Sequence, residues 1–173
     1  MLNSEAVNMA VVLDGSNLTI RDVVEIARNG VNIEINQESR DRINKCRGMI
    51  QKKIDSHEIM YGVTTGIGEF SEVVLDAEQL ENFQKFLIYS HAAGIGGPLE
   101  EEVVRAAMCG RINVHCNGNS GGRLEITEKL IECLNKGITP VCAEIGSVGA
   151  CGDLSPMSQM AMTLMGEGEA FLD

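Results

Sequence analysis

The amino-acid sequence predicts a mainly α-helical protein with a small β element near its N-terminus. Apolar residues recur at spacings of three and four along most of the 173-residue chain, which is the period of an α-helix. Alternation with a period of two occurs at Val31, Ile33 and Ile35, which indicates a strand. Hydrophobic residues make up 44% of the chain, enough for one globular domain with its own core.

The first helices are each preceded by a residue that suits an N-cap. Thr19 precedes a short helix and Asn36 a longer one. Asp76 and Gln79 have the spacing of a capping box for a third helix that runs toward His91. The apolar residues of the first two helices are Ile20, Val23, Val24 and Ala27, then Ile43, Cys46, Ile50 and Ile54.

Three more helices are predicted in the second half of the chain. Pro98 with the acidic residues 100–102 suits a first helical turn. A helix with Leu124, Leu130, Ile131 and Leu134 ends at Gly137. The last one opens at Ser155-Pro156, and its apolar residues Met157, Met160, Leu164 and Met165 are typical of a core stripe.

Composition and charge exclude several classes of function. The net charge of −11 argues against nucleic acids and anionic membranes as partners, because binding to phosphate needs clustered Lys and Arg. No apolar run has the length of a membrane span, and the first residues lack the basic region of a secretory signal, so we expect a cytoplasmic protein. None of the six cysteines forms a C-x-x-C pair, which favours reduced core thiols and predicts no metal site.

The glycine-rich loop GSVGACGD admits two interpretations. A plain turn is one, since glycine clusters usually mark turns. The other is a backbone-derived electrophile. The Gly152 amide nitrogen attacks the Ala150 carbonyl carbon, water is lost, and elimination of the Cys151 side chain leaves an exocyclic methylidene. The helix that follows would direct its positive end at this ring.

Five segments together resemble the histidine/aromatic amino acid ammonia-lyase family, in the order in which that family carries them. They are LDGSNLTIRDVVEIAR, YGVTTGIG, SHAAGIGGPL, RINVHCNGNSGGR and GSVGACGDLSPMSQMAMTLMGEGEAF. The resemblance implies the fumarase/aspartase-like helical fold and the cofactor MIO, a 4-methylidene-imidazole-5-one formed autocatalytically from Ala150-Cys151-Gly152, with no metal. Residues 1–173 then form the N-terminal, MIO-containing domain.

The resemblance also implies roles for single residues. Tyr61 aligns with the general base that removes the substrate β-proton; without the resemblance, it is a tyrosine closing a loop over the core. His91 aligns with a position that contacts the substrate side chain and sets the preference for it. The alternative is a helix-terminal histidine near the C-terminal end of the helix dipole. Three further residues support the loops: Thr64 and Gly66 shape the loop of Tyr61, and Asp153 bonds backbone amides of the modified loop. Gly68 is expected to shape the same loop and to contact the substrate.

The chain departs from the family pattern in three ways. Cys151 stands where serine is usual, so ring formation would expel hydrogen sulfide, or the cysteine stays unmodified. Gln159 stands where histidine-specific members commonly carry histidine. The chain is also much shorter than family members and lacks the C-terminal helix bundle. Either this chain is a fragment, or a partner chain carries the bundle; in the second case we expect a hetero-oligomer with four copies of each chain.

The function implied by the resemblance is elimination of ammonia from histidine or an aromatic amino acid, giving an α,β-unsaturated acid. The alternative is an MIO-dependent aminomutase, which uses the same cofactor and returns the amine to the β-carbon. A non-catalytic subunit that keeps the fold without the cofactor is the alternative from another class, and Cys151 and the chain length favour it.

Overall fold

The computed structural model describes residues 10–75, 77–149 and 152–172. Six helices make the described part of the chain mainly helical, which confirms the mainly α-helical prediction. The described helices are α1 (Ile20–Asn29), α2 (Gln37–Asp55), α3 (Ala77–His91), α4 (Glu101–Cys116), α5 (Leu124–Asn135) and α6 (Leu154–Leu164). Short strands join them: β1 (Val11–Leu13), β2 (Ile33–Ile35), β3 (Ile95–Pro98), β4 (Ile138–Pro140), β5 (Ala143–Ile145) and β6 (Ala170–Leu172).

The chain divides into two compact units, with α2 running from the first into the second. Unit 1 comprises residues 1–45, 100–139 and 170–173, and unit 2 comprises residues 46–99 and 140–169. None of the described helices combines the length and apolar character that crossing a membrane requires.

The N-terminal caps form as the sequence predicts. Thr19 Oγ1 accepts from the Asp22 amide at 3.2 Å, while the Thr19 amide donates to Asp22 Oδ2 at 3.0 Å, a reciprocal pair that starts α1. Asn36 Oδ1 accepts from the Ser39 amide at 2.8 Å and starts α2 in the same manner. The proposed capping box at Asp76 falls outside the described residues.

Unit 1 encloses its core between α1, α4, α5 and the parallel pair of β1 and β2. Its most deeply buried side chains include Leu13, Ile26, Ile33, Met108, Ile112 and Leu130. Arg105 is 5% exposed and ties two helix ends together, because it donates to the carbonyls of Ile26 and Ala27 in α1 and of Leu134 in α5. Asn135 binds the outer edge of β2: it accepts from the Ile33 amide at 2.9 Å and donates to the Ile33 carbonyl at 3.0 Å.

Unit 2 contains α3 packed on α6 and the antiparallel pair of β3 and β5. The pair of β4 and β6 adds a further two-stranded sheet, mostly in unit 1. The sequence did not predict these two pairs. Pro98 belongs to β3 rather than to the first turn of α4, which contains Glu101 and Glu102.

The cysteines of both cores are free thiols. Cys109, Cys116, Cys133 and Cys142 are buried. Burial raises the pKa of Cys109 to about 11 and also raises the pKa of Cys142. A buried thiol with a raised pKa stays protonated near neutral pH, so these side chains act as small hydrophobic groups rather than as nucleophiles.

Candidate active site

Tyr61 begins a turn-rich segment between α2 and α3, and Thr64 holds the base of that segment. Thr64 is buried, and its hydroxyl accepts from the Met60 amide at 2.8 Å and donates to the Glu58 carbonyl at 2.9 Å. One hydroxyl thereby joins the segment that follows α2 to the loop. A threonine side chain bonded to nearby backbone groups is a common way to fix such a turn.

The far side of this segment folds back as a short hairpin. The Gly66 amide donates to the Val73 carbonyl at 3.1 Å, and residues 65 and 74 form a β-bridge. A 3-10 turn over Gly68–Phe70 forms its tip. This turn directs the Gly68 amide at Tyr61 Oη, to which it donates at 3.1 Å. Tyr61 is 66% exposed, so its phenol oxygen is held by a backbone donor at the surface of unit 2.

The ring of His91 is oriented at the last residue of α3. Its Nδ1 lies 2.8 Å from the Leu87 carbonyl oxygen and 3.0 Å from Ser90 Oγ. A carbonyl oxygen only accepts, so the bond to Leu87 places the proton on Nδ1. In the neutral ring, Nε2 then keeps its lone pair and is the atom left to bind a ligand.

The loop before α6 brings Asp153 and Ser147 together. The Ser147 hydroxyl donates to Asp153 Oδ1 and accepts from the Gly149 amide at 3.2 Å. We expected Asp153 to bond backbone amides, but its side chain makes no capping bond to α6 and reaches the loop through a serine hydroxyl instead. Ala150 and Cys151 fall outside the described residues.

The backbone on the C-terminal side of this loop has an unusual conformation. Gly152 has φ of +71° and Asp153 has φ of 54°, both in the left-handed region, and α6 begins at the next residue. Apart from the chain neighbours of Gly152, no described atom lies within 4 Å of the position that a Cβ on this residue would occupy. Among the described residues, the space beside Gly152 is therefore open.

A charged cluster links α3 to the turn after α6. Lys85 Nζ lies 2.8 Å from Glu167, the Tyr89 hydroxyl donates to the same carboxylate, and Lys85 also lies over the Tyr89 ring. Hydrogen bonds from Lys85 and then Tyr89 lower the pKa of Glu167. Sequence reasoning missed this cluster, because no local pattern connects residues separated by about eighty positions.

The described contacts join some of the predicted site residues and leave others separate. Tyr61 contacts Gly68, Asp153 contacts Ser147, and the contacts of the His91 ring belong to its own helix. All of these residues lie in unit 2. A surface cleft also lies in unit 1, where residues around Arg28, Glu102 and Arg105 line it.

Comparison with known proteins identifies the family. The family model described as "Aromatic amino acid lyase" matches residues 18–173. The chain belongs to the aromatic amino acid lyase family. It is 45% identical over 160 residues to the histidine ammonia-lyase of Alkaliphilus oremlandii (strain OhILAs), which covers 92% of this chain and 32% of that protein.

Solved structures of the aromatic amino acid lyase family share the fold. The histidine ammonia-lyase of Trypanosoma cruzi superposes with a TM-score of 0.87 at 38% identity, over 95% of this chain and 32% of that chain. The tyrosine aminomutase of Streptomyces globisporus superposes with a TM-score of 0.89 at 36% identity, over 95% and 31%. These matches confirm the predicted family and its helical fold. The chain spans about a third of the length of the proteins that it matches.

Proposed function

We propose that this chain carries the electrophile-forming loop and the proton acceptor of an ammonia-lyase that acts on histidine or an aromatic amino acid. Family membership supports the reaction class. The hydrogen bond from the Gly68 amide to Tyr61 Oη is the observation that carries the proposal. It places a tyrosine oxygen at an exposed position beside a donor that stabilises negative charge on that oxygen.

The electrophile would form from Ala150-Cys151-Gly152. The Gly152 amide nitrogen bonds to the Ala150 carbonyl carbon. The carbonyl oxygen leaves as water with the amide hydrogens of Gly152 and Cys151, and a C=N bond forms between the Ala150 carbon and the Cys151 nitrogen. The Cα–H and Cβ–S bonds of Cys151 break, hydrogen sulfide leaves, and the Cα–Cβ double bond is the methylidene. This group supplies an electrophile for the substrate amine. The open surroundings of Gly152 and the helix start at residue 154 favour such a ring at this place.

Two side chains would act on the substrate. The Tyr61 oxygen takes the β-proton, and the Gly68 amide holds the charge that Tyr61 carries before that transfer. His91 faces the substrate side chain through Nε2, because its Nδ1 is bound to the Leu87 carbonyl. Asp153 holds the loop through Ser147 and takes no part in proton transfer. The products are ammonia and an α,β-unsaturated acid.

The rest of the site would come from chain that corresponds to the remaining two-thirds of the relatives. A tyrosine that is 66% exposed needs further structure to exclude water from the reaction. That portion either continues this polypeptide or belongs to a second chain. In the second case, we propose a hetero-oligomer with four copies of each chain.

Two other functions remain in competition. A tyrosine aminomutase has the same fold at 36% identity, so return of the amine to the β-carbon is the second candidate. Product analysis distinguishes the two, because an aminomutase yields a β-amino acid. A non-catalytic subunit is the third candidate, and it requires that Cys151 stays unmodified.

Intact mass spectrometry of the chain tests the proposal. The mass should fall below that of the encoded sequence by one water and one hydrogen sulfide. Cys151→Ala should lose no hydrogen sulfide, form no methylidene and release no ammonia, since alanine has no leaving group. Cys151→Ser should lose two waters and keep turnover. An unmodified mass in a fully active preparation would contradict the proposed electrophile.

Production of this chain with and without the remaining portion of the enzyme tests whether that portion is needed. The chain is prepared alone and together with the polypeptide that supplies that portion, and size and ammonia release are compared. We expect ammonia release with histidine or an aromatic amino acid only from the combined preparation. Full turnover by the isolated chain would refute this part of the proposal.

A further inference from the structure

One face of α6 lies against two glycine backbones in unit 2. Ser155 and Gln159, one helical turn apart, form this face. A Cβ on Gly146 would lie 3.0 Å from Ser155 Oγ, and a Cβ on Gly94 would lie 2.6 Å from Gln159 Oε1. The added Cβ of Gly146 would also lie 3.5 Å from Gly94 Cα. The two glycine segments therefore meet on α6 with no room for a side chain at Gly94.

The amide group of Gln159 also binds the neighbouring sheet. Its Oε1 accepts from the Ala143 amide in β5 at 3.1 Å, and this bond fixes the orientation of the side-chain amide, because the backbone N–H needs an acceptor. A Cβ on Gly94 would lie 2.9 Å from Ala143 Cβ as well. One half-buried glutamine thus bonds to β5 and packs against the residue that precedes β3.

The connection from this contact to His91 is short and hydrogen-bonded. His91 ends α3 three residues before Gly94. The Ala92 amide donates to the Ile88 carbonyl at 3.0 Å, and the Ala93 amide donates to the His91 carbonyl at 2.8 Å. A shift of the backbone at Gly94 would therefore move His91 rather than be absorbed by a loose linker.

We infer that Gln159 is a positioning residue that sets where the His91 ring stands relative to the start of α6, and thereby which side chain the site prefers. This inference rests on the proposed function. The first turn of α6 directly follows Gly152 and Asp153, and Gln159 lies on the same helix. The described contacts of Gln159 are with Ala143 and Gly94, so we infer that it acts on His91 through Gly94.

Three variants separate positioning from simple structural support. Gln159→Leu keeps the approximate size and removes the acceptor for the Ala143 amide. Gln159→Glu keeps both the size and an acceptor oxygen. Gln84→Leu makes the same chemical change at an exposed position of α3 and is the matched control. The readouts are kcat and KM for histidine, tyrosine and phenylalanine in the active enzyme, and hydrogen exchange of peptides that cover 92–98 and 142–145.

Gln159→Leu should speed exchange in both peptides and change the ratio of kcat/KM between histidine and tyrosine by about ten-fold, the scale of one altered pocket contact. Gln159→Glu and Gln84→Leu should leave that ratio and the exchange unchanged. Gly94→Ala should shift the ratio as Gln159→Leu does, because its Cβ displaces the same segment, and it supplies the test if Gln159→Leu does not fold.

Faster exchange with an unchanged substrate ratio would overturn the inference and leave Gln159 a structural residue. Unchanged exchange in Gln159→Leu would overturn the contact itself. Absence of ammonia release by the unaltered enzyme is a different failure: it refutes the proposed function, whereas the exchange measurement still reports on the contact.

Discussion

The Gly68 amide donates a 3.1 Å hydrogen bond to the hydroxyl oxygen of Tyr61, seven residues earlier in the same loop. If this oxygen accepts the substrate proton, Tyr61→Phe removes the acceptor and keeps the ring. Turnover should then fall by at least about a hundred-fold, the usual scale for an acid–base group. Steady-state ammonia release measures the effect.

Tyr89 supplies the control for this substitution, because it is the second of the two tyrosines in the chain. Its hydroxyl bonds Glu167 rather than the loop of Tyr61. Tyr89→Phe should stay within a few-fold of the unaltered enzyme. Near-normal turnover in Tyr61→Phe would refute the role of Tyr61 as the base.

His91→Leu should change which amino acid is preferred more than it lowers the best rate. The substitution removes Nε2, the ring atom that the bond to Leu87 leaves available, and replaces it with apolar surface. The preference for histidine or tyrosine over phenylalanine should fall, as competition assays with substrate mixtures would reveal. His57→Asn is the control, since asparagine tolerates the positive φ of 59° at that position. An unchanged profile in His91→Leu would make His91 structural.

Arg105→Met should lower the free energy of unfolding by about 2–4 kcal/mol, because three buried carbonyls lose their charged donor. Arg28→Met removes an exposed pair with Glu102 and should cost less than about 1 kcal/mol. Urea denaturation of both variants provides the comparison. Equal losses would show that the guanidinium does not hold the ends of α1 and α5 together.

The stability of unit 1 should decrease on mild acidification through His115. Burial, and then the charge of Arg111, lower the pKa of His115 below its usual value of 6.5. The unfolded chain therefore binds this proton more tightly. The stabilisation that neutral His115 contributes to the folded state is complete above pH 6.5. It is lost as the pH falls through the lower pKa of the folded state.

The free energy of unfolding at about pH 7.5 and about pH 5.5 tests this prediction. His115→Asn removes the titrating group and retains an amide that can bond Thr127, the partner of Nδ1 at 3.0 Å. The difference between the two pH values should shrink in this variant and persist in His57→Asn. An equal difference in all three proteins would contradict the assignment to His115.

Local patterns account for the parts of the fold that the sequence predicted. Thr19 and Asn36 cap helices through residues three positions away, so the signal and the contact lie within one turn. The pairing of β3 with β5 joins segments more than forty residues apart, and each strand has only three or four residues. Too few side chains alternate in such strands to produce a period of two, and Pro98 consequently suggested a helix start instead.

The candidate site was predictable as a set of residues and not as a set of contacts. The family motifs singled out Tyr61 and Asp153, but their partners depend on turns that propensity does not encode. Gly68 meets Tyr61 because of a 3-10 turn at the hairpin tip. The contact of Ser147 with Asp153 depends on a left-handed conformation at a residue other than glycine, which no composition rule anticipates.

The side chain of Asn135 limits how the edge of β2 can pair with a strand of another chain. Because it occupies both backbone groups of Ile33, it stands where the next strand of a growing sheet would bind. β1 and β2 are a parallel pair with apolar residues, and an unpaired strand edge presents N–H and C=O groups that can pair with another chain. The side-chain amide of Asn135 therefore ends the sheet at β2, and its loss would leave the N–H and C=O groups of Ile33 without these partners.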